Sequence, residues 1–360
     1  MVELPSTATP TVSRTSSDCP ADMPTSISEL DRIADRYATF AAVEARGSSE
    51  AYEKLARAVA SSTEVLEFLA SLPAEKRQPN LFLAAIRHLF GVPESAGRLV
   101  EIVRREPAAI RELMLSRTTQ TNEPARCAVL LPLLGRLPQP LALVEVGASA
   151  GLCLLPDRYA YDYGAAKLTP PPMDAGATPM FECRAGGATP VPSVLPKVAW
   201  RAGLDLHPID VNARTETAWL ETLVWPGQEK RLARLRAAIR IAQAEPPRVV
   251  KGNLLTDLAP LIAEAPEDVT LVVFHTAVLG YMAKADREQF AQDMRRSRAV
   301  WISNEVPDVF PEIARAAPPP ARLGLFLLTI DGDAVAWTAP HGESIDWFGG
   351  QINQASAAPA

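Results

Sequence analysis

The sequence predicts an α/β protein: a mostly parallel, seven-stranded sheet that ends in an antiparallel hairpin and is preceded by an all-helical N-terminal region. Three observations predict it. After residue 140 short β-rich runs alternate with helical ones, the texture of a parallel sheet covered by helices. The last two runs, 322–330 and 334–340, are separated only by Asp331-Gly332-Asp333, too short for a helical crossover and therefore a hairpin. Before residue 119 one pattern recurs: a polar N-cap, apolar residues spaced by threes and fours, then Gly or Pro.

Composition sets the outer limits. With 360 residues, 48% hydrophobic and 22% charged, the chain buries a full-sized core and has room for a smaller second unit. A net charge of −6 with no Lys/Arg-rich block provides no footprint for a nucleic-acid backbone, so a small-molecule partner is expected. No apolar run approaches the ~20 residues needed to span a bilayer. Residues 1–25 lack the apolar centre of a signal peptide, so a cytoplasmic protein without a membrane span is expected. Cys19, Cys127, Cys153 and Cys183 show no C-x-x-C spacing; a reducing compartment and no metal site follow as expectations.

In chain order, residues 1–25 and 351–360 carry too few large apolar groups to offset ordering entropy and are expected to be disordered tails. Residues 26–118 read as a string of short helices. Ser26 and Glu29 form a capping-box pattern, and Ile27, Leu30, Ile33, Tyr37 and Phe40 line one face before Gly47. Stripes at Tyr52/Leu55/Val59, Val65/Leu66/Leu69, Phe82/Ile86/Leu89 and Leu99/Ile102/Val103 follow and read as core. Within 119–350 the strands are 141–146, 197–204, 248–252, 269–275 and 299–303, with helices around 228–244, 254–264 and 284–296. The stretch 158–196 is an insertion, expected to cover a cleft. Tyr159, Tyr161 and Tyr163 alternate like a strand, and "MFECR" is its expected partner.

The first strand ends in "LALVEVGASAGLCLL", which has two incompatible readings. As Glu145-x-Gly147-x-Ser149-x-Gly151 it is a nucleotide-binding turn; as Gly147-x-Ser149-x-Gly151 it is a hydrolase nucleophile elbow. An elbow needs a sheet already several strands wide and an earlier oxyanion donor, whereas everything before residue 140 reads helical. The nucleotide reading uses more residues, because the glycines let a ligand approach the backbone and Glu145 has its own task.

Five alternating strands plus a terminal hairpin resemble the Rossmann-like sheet of class I S-adenosylmethionine-dependent methyltransferases. The resemblance implies S-adenosylmethionine as cofactor. Glu145 would complement its ammonium, Gly147, Ala148, Ser149 and Gly151 would wrap its amino-acid end, Asp205 would accept from both ribose hydroxyls, and Asn253 with Leu254 would lie beside the adenine. Gln120, Asn122 and Tyr281 would line the substrate cleft, and His275, at the carboxyl edge of the fourth strand, would be the catalytic base. Each has a plainer structural role open to it: Asp205 capping the turn before Pro208, Asn253 capping a helix, His275 a satisfied histidine at a strand end. The fourth strand lacks the Asn/Asp-Pro-Pro-aromatic run associated with base methylation, which points to a small-molecule acceptor.

The strings "QPNLFLAAIRHLF", "QTNEPARCAVLLPLL", "LVEVGASAGLCLLPDRYAYDYG", "GLDLHPIDV", "WLETLVWPGQEKR", "VVFHTAVLGYM" and "PHGESIDWF" are similar to those of a bacterial domain-of-unknown-function family grouped with those methyltransferases. That resemblance implies a fold more than a reaction. A serine hydrolase using Ser149, and a non-catalytic nucleotide-binding or interaction protein of the same fold, stand as alternatives.

Overall fold

A computed structural model of the chain describes residues 28–120, 122–172 and 176–350, so the tails expected at 1–25 and 351–360 lie outside the described residues. Six helices come first: α1 (Glu29–Thr39), continued by a π-helical turn at Phe40–Ala45, then α2 (Glu50–Ala60), α3 (Thr63–Ala70), α4 (Pro79–Phe90), α5 (Ala96–Arg105) and α6 (Pro107–Ser116). Local chemistry sets their starts. Ser49, Ser62 and Ser95 each accept a backbone N–H of the first turn, and Pro79 and Pro107 occupy positions where a missing N–H costs nothing. Ser26, expected to cap the first helix, lies outside the described residues. The capping box is made by Ser28 and Asp31: Asp31 N–H donates to Ser28 Oγ at 3.1 Å, and Ser28 N–H donates to Asp31 Oδ2 at 3.2 Å. An aspartate at the third position serves as well as a glutamate, so the pattern alone does not rank the two registers.

The apolar stripes meet as their spacing predicts, burying Ile33, Tyr37, Phe40, Tyr52, Leu55, Val59, Val65, Leu69, Phe82, Ile86 and Leu99 together. Leu89, at the end of its stripe, is exposed. This core is completed from outside the helical region. Trp219 is buried in it, and Trp225 packs against Phe40 and Tyr52 with ring centroids 5.3 and 5.9 Å away.

The rest of the chain supplies α7 (Cys127–Leu134), β1 (Leu141–Val146), β2 (Ala160–Asp162), β3 (Lys167–Leu168), β4 (Met180–Glu182), β5 (Arg184–Gly187), β6 (Val198–Asp205), α8 (Arg214–Leu223), α9 (Glu229–Ala244), β7 (Val249–Lys251), α10 (Leu258–Ala263), β8 (Thr270–Thr276), α11 (Lys284–Arg296), β9 (Val300–Glu305), α12 (Pro311–Ala316), β10 (Phe326–Ile330), β11 (Asp333–Thr338) and β12 (Ser344–Trp347). The main sheet runs β5-β12-β11-β10-β9-β8-β1-β6-β7. It has nine strands, not seven. The seven expected strands are all in it, parallel from β7 to β9 and then antiparallel through β10 and β11. The two additions, β12 and β5, extend the hairpin edge. β5 is Arg-Ala-Gly-Gly, a segment with no β signal of its own, and its pairing comes only from the neighbouring strand.

The insertion departs from its expected role as a cover over the cleft. β2 and β4 do pair, as the "MFECR" string predicts. However, Tyr159, Tyr161 and Tyr163 are buried in the main core, donating their hydroxyls to the carbonyls of Leu152, Pro156 and Ala128, while β5 joins the far margin of the sheet. Alternation identified the strand; which surface it covers is a tertiary matter.

The chain runs from β1 outward to β6 and β7, then returns to β8 on the other side of β1. The strand order therefore reverses between β1 and β8, and ligands of open α/β sheets bind outside the carboxyl ends at such a point. Leu141 and Leu143 face α7 and α9; Ala142, Val144 and Val146 face α10 and α11. Among the described residues no helix is long and apolar enough to cross a membrane.

Trp219 joins the helical region to the sheet, and its indole N–H donates to the Thr118 carbonyl at 2.9 Å. Trp219→Ala is expected to cost about 3–5 kcal/mol. Urea unfolding followed by far-UV circular dichroism should show one transition at lower denaturant, with helix and sheet lost together.

Candidate functional site

The turn after β1 holds three positions in the left-handed region: Gly147 (φ 70°), Ser149 (φ 52°) and Gly151 (φ 69°). For a serine that conformation costs roughly 1–2 kcal/mol. It is held from two sides. Ser149 N–H donates to Asp205 Oδ2 at 2.8 Å, across from the end of β6. Asn122 spans the other side, its Nδ2 donating to Ser149 Oγ at 2.6 Å and its Oδ1 accepting from Ala150 N–H at 2.9 Å. Gln120 Nε2 donates to Asp205 Oδ1 at 3.2 Å and to the His207 carbonyl at 3.1 Å, and His207 N–H donates to Asp205 Oδ1 at 2.7 Å.

Five residues expected at the ligand, Gly147, Ala148, Ser149, Gly151 and Asp205, thus do come together, with Gln120 and Asn122 over them. The contacts they make are with one another. Gly147 is closely covered, since the Val278 side chain leaves no room for a Cβ there. Ala148 is buried against Gly203, which has no room for a side chain of its own. The Asn253 side chain bonds none of this group. Its Oδ1 accepts from Leu255 N–H at 2.9 Å and its own N–H donates to Asp257 Oδ2 at 2.7 Å, an Asx turn leading into α10, while Leu254 packs on the α10 and α11 face. Tyr281 stands 85% exposed between β8 and α11.

His275, expected as catalytic base, has a different task. It is fully buried, and Trp301 Nε1–H donates to its Nε2 at 3.0 Å. An indole only donates, so the imidazole proton sits on Nδ1, which donates to Glu305 Oε1 at 2.7 Å. The same carboxylate accepts from Val278 N–H at 2.8 Å and Leu279 N–H at 3.1 Å. Both ring nitrogens are engaged, so His275 orients Glu305, and Glu305 fixes the turn that lays Val278 on Gly147. Nor does any histidine serve Ser149. His88 meets Thr222, His207 is exposed, His275 is committed to Glu305 and His341 lies beside Arg231. The serine hydroxyl meets an amide, which takes no proton from it.

A second group of side chains occupies the face of the sheet that carries Glu145. Glu145 is buried, and among the described residues its Oε2 has no hydrogen-bond partner. Burial pushes its carboxyl well above the usual range, and Cys153 and Asp205 push it further, against the opposing charge of Arg126. Arg126 itself, from the 3-10 turn Pro124–Arg126, is buried with uncharged partners: Nε donates to the Pro340 carbonyl at 2.8 Å, and Nη1 to the Thr276 carbonyl at 3.0 Å and to Thr276 Oγ1 at 3.3 Å. Among the described residues no carboxylate lies within ion-pair distance of it. Beside it, Glu123 Oε2 pairs with Arg231 Nε at 2.6 Å, and Arg231 Nη2 lies 3.4 Å from His341 Nδ1. Burial, then the Arg231 charge, push His341 down to about 4, with Glu123 opposing. The ring is neutral at pH 7.

Arg126, Arg231 and Glu123 were missed as functional candidates. A signal existed for the first: a lone arginine inside the apolar run "EPARCAVLLPLL" is either a buried charge or a misplaced one. Nothing local marks Arg231, one of several arginines on α9. Among the described residues no group of three or more His, Cys, Asp or Glu side chains is arranged to hold a metal ion.

Fold and site together define a mixed α/β protein with a buried polar cluster at the carboxyl edge of a mainly parallel sheet. The chain belongs to the family described as "Uncharacterized protein conserved in bacteria (DUF2332)", whose model matches residues 34–347. No curated protein and no solved structure matches it.

Two outcomes follow from this geometry. Asn122→Ala removes both side-chain bonds to the Ser149 turn and should cost about 1–3 kcal/mol, read as a lower urea midpoint at unchanged m-value. For His341 the folded value of about 4 lies below the ordinary 6.5, so the unfolded chain takes up its proton first as pH falls. Stability present above pH 6.5 is therefore lost between 6.5 and 4 and levels off below. His341→Gln should flatten that part of a urea-midpoint profile against pH, and the ring's NMR titration should centre near 4.

Proposed function

We propose that the protein binds S-adenosylmethionine in the manner of a Rossmann-like methyltransferase and acts on a small molecule. The observation that carries this reading is the buried, unpartnered Oε2 of Glu145 at the carboxyl end of β1, beside the bare turn and the point where strand order reverses. The order β7-β6-β1-β8-β9-β10 supports it, since it reproduces the doubly wound series 3-2-1-4-5-6 with the sixth strand turned antiparallel.

The amino-acid end of the cofactor fits the residues present. An ammonium against Glu145 would supply the donor its Oε2 lacks, and would draw the carboxyl back to its charged form. The adenosine end fits less closely. Asp205 retains lone pairs for ribose hydroxyls although it already accepts three bonds, whereas Asn253 Oδ1 is taken by Leu255 N–H. When bound, the cofactor supplies a transferable methyl group. The chain's own contribution is alignment and exclusion of water, with His275 reserved for holding Glu305. Because Val278 covers Gly147 and Asn122 covers Ser149, entry of the ligand requires the 277–281 turn or the Asn122 side chain to move.

Isothermal titration with S-adenosylmethionine and S-adenosylhomocysteine tests the reading. Saturable binding is expected. Glu145→Gln is expected to weaken it by roughly 10–100-fold, the worth of a hydrogen bond to a charged group. Absence of binding at millimolar ligand sinks the proposal, and binding without turnover over a broad acceptor panel reduces it to a nucleotide-binding protein.

A further inference from the structure

We infer that the carboxyl edge of β8 and β9 beneath Arg126 is a second binding site, shaped for the carboxylate of a small organic acid held by the Arg126 guanidinium and the Asn304 side-chain amide. It deepens the proposed function, resting on it only for the identification of that acid as the second substrate.

An unsatisfied donor and a charge without a counter-ion among the described residues meet there. Asn304, at the end of β9, is fully buried; its Oδ1 accepts from Thr338 Oγ1 at 2.7 Å, which orients the amide and leaves Nδ2 without a partner among the described residues. Its register partner on β8 is Thr276. In a parallel pair such partners project to the same face. Thr276 is also the residue on which Arg126 Nη1 rests, so guanidinium and amide stand over one stretch of sheet. The Phe326 ring lies 5.8 Å from the guanidinium carbon and walls this stretch with apolar surface.

The chemistry of the donors selects the ligand. Both donate, one is charged, and no carboxylate of the described residues answers that charge. A buried guanidinium without a counter-ion is unfavourable, and a water molecule would satisfy the Asn304 amide while leaving the charge in place. A carboxylate brings four lone-pair positions in a plane that matches the guanidinium fork, together with the missing charge. The neighbouring titratable groups oppose that charge weakly: burial pushes Glu145 toward its uncharged form, Glu123 is paired to Arg231, and His341, next to the Pro340 carbonyl that anchors Arg126, is neutral at pH 7. Arg126 and Glu145 lie close enough for each to feel the other's charge, which sets the acid beside the proposed cofactor end.

The test titrates the full chain with sodium propionate and with its neutral isostere propionamide at constant ionic strength, following the Arg126 Nε–H resonance and the thermal midpoint. Propionate should shift both saturably and propionamide neither. Asn304→Asp, which exchanges the amide donor for an oxygen, should weaken propionate at least tenfold; Thr338→Ser, which keeps the hydroxyl that orients the amide, should stay within about threefold. Arg126→Gln should abolish the response, and if that variant fails to fold the two others decide. Equal responses to acid and amide, or an Asn304→Asp variant that binds propionate as before, would overturn the site. Repeating the titration with saturating S-adenosylhomocysteine separates two sources of the carboxylate. Retained propionate binding supports a second substrate, and loss of it gives the site to the cofactor's own amino-acid end and overturns that identification. If S-adenosylhomocysteine does not bind at all, the cofactor reading fails by itself while the propionate result still decides the carboxylate site.

Discussion

A carboxylate at the end of one strand holds the backbone at the end of the next. Asp205 takes the Ser149 N–H across from β6 to the turn after β1, and Asn122 clamps the same turn from the segment before α7. Without them a serine in the left-handed region, flanked by two glycines that are also left-handed, has little reason to keep one conformation. The position of everything at the carboxyl edge follows from that constraint: Ile209 N–H donates to the Ser149 carbonyl, Gln120 bridges to Asp205, and Val278 closes over Gly147. Charge-assisted bonds to a carboxylate suit this task, being stronger than neutral ones where water is excluded.

The two faces of the sheet carry different polar groups at the carboxyl edge. On the α11 side, Trp301, His275 and Glu305 form a closed chain in which each donor has its acceptor, and its product is a fixed β8–α11 turn. On the α7 side, Glu145 and Asn304 each keep an atom with nothing to bond, and Arg126 keeps a charge with no counter-ion among the described residues. Native interiors rarely leave such groups unmatched, because the desolvation cost is not recovered. The first group fixes a turn, and the second leaves two atoms and a charge unmatched among the described residues. The family match extends over both, from the helical region to β12.

The helical region is tied to this arrangement through shared core. Trp219 on α8 and Trp225 beyond it complete the bundle's interior, and Arg117 pairs with Glu216 across the same seam at 2.7 Å. The segment carrying Gln120 and Asn122 leaves the bundle immediately after Arg117. Packing of the helices therefore bears directly on the clamp over the Ser149 turn.

Much of the fold was legible in the residues. Apolar spacing marked the helical stripes, alternation and β-branched runs marked seven strands, and the three-residue Asp-Gly-Asp link required a hairpin, because all of these depend on neighbours along the chain. The gathering of Glu145, the glycine turn, Asp205, Gln120 and Asn122 was legible as well, since strand ends in a parallel sheet share an edge. Whether those groups face a ligand or one another was decided only by tertiary structure. Asp205 and Asn253 turned inward to backbone N–H groups, His275 was claimed by a tryptophan and a glutamate, and β5 became a strand because β12 lay beside it. Arg126 and Asn304 belong to distant segments, and a charge without a counter-ion is a property of everything packed around it; no local pattern carries that information.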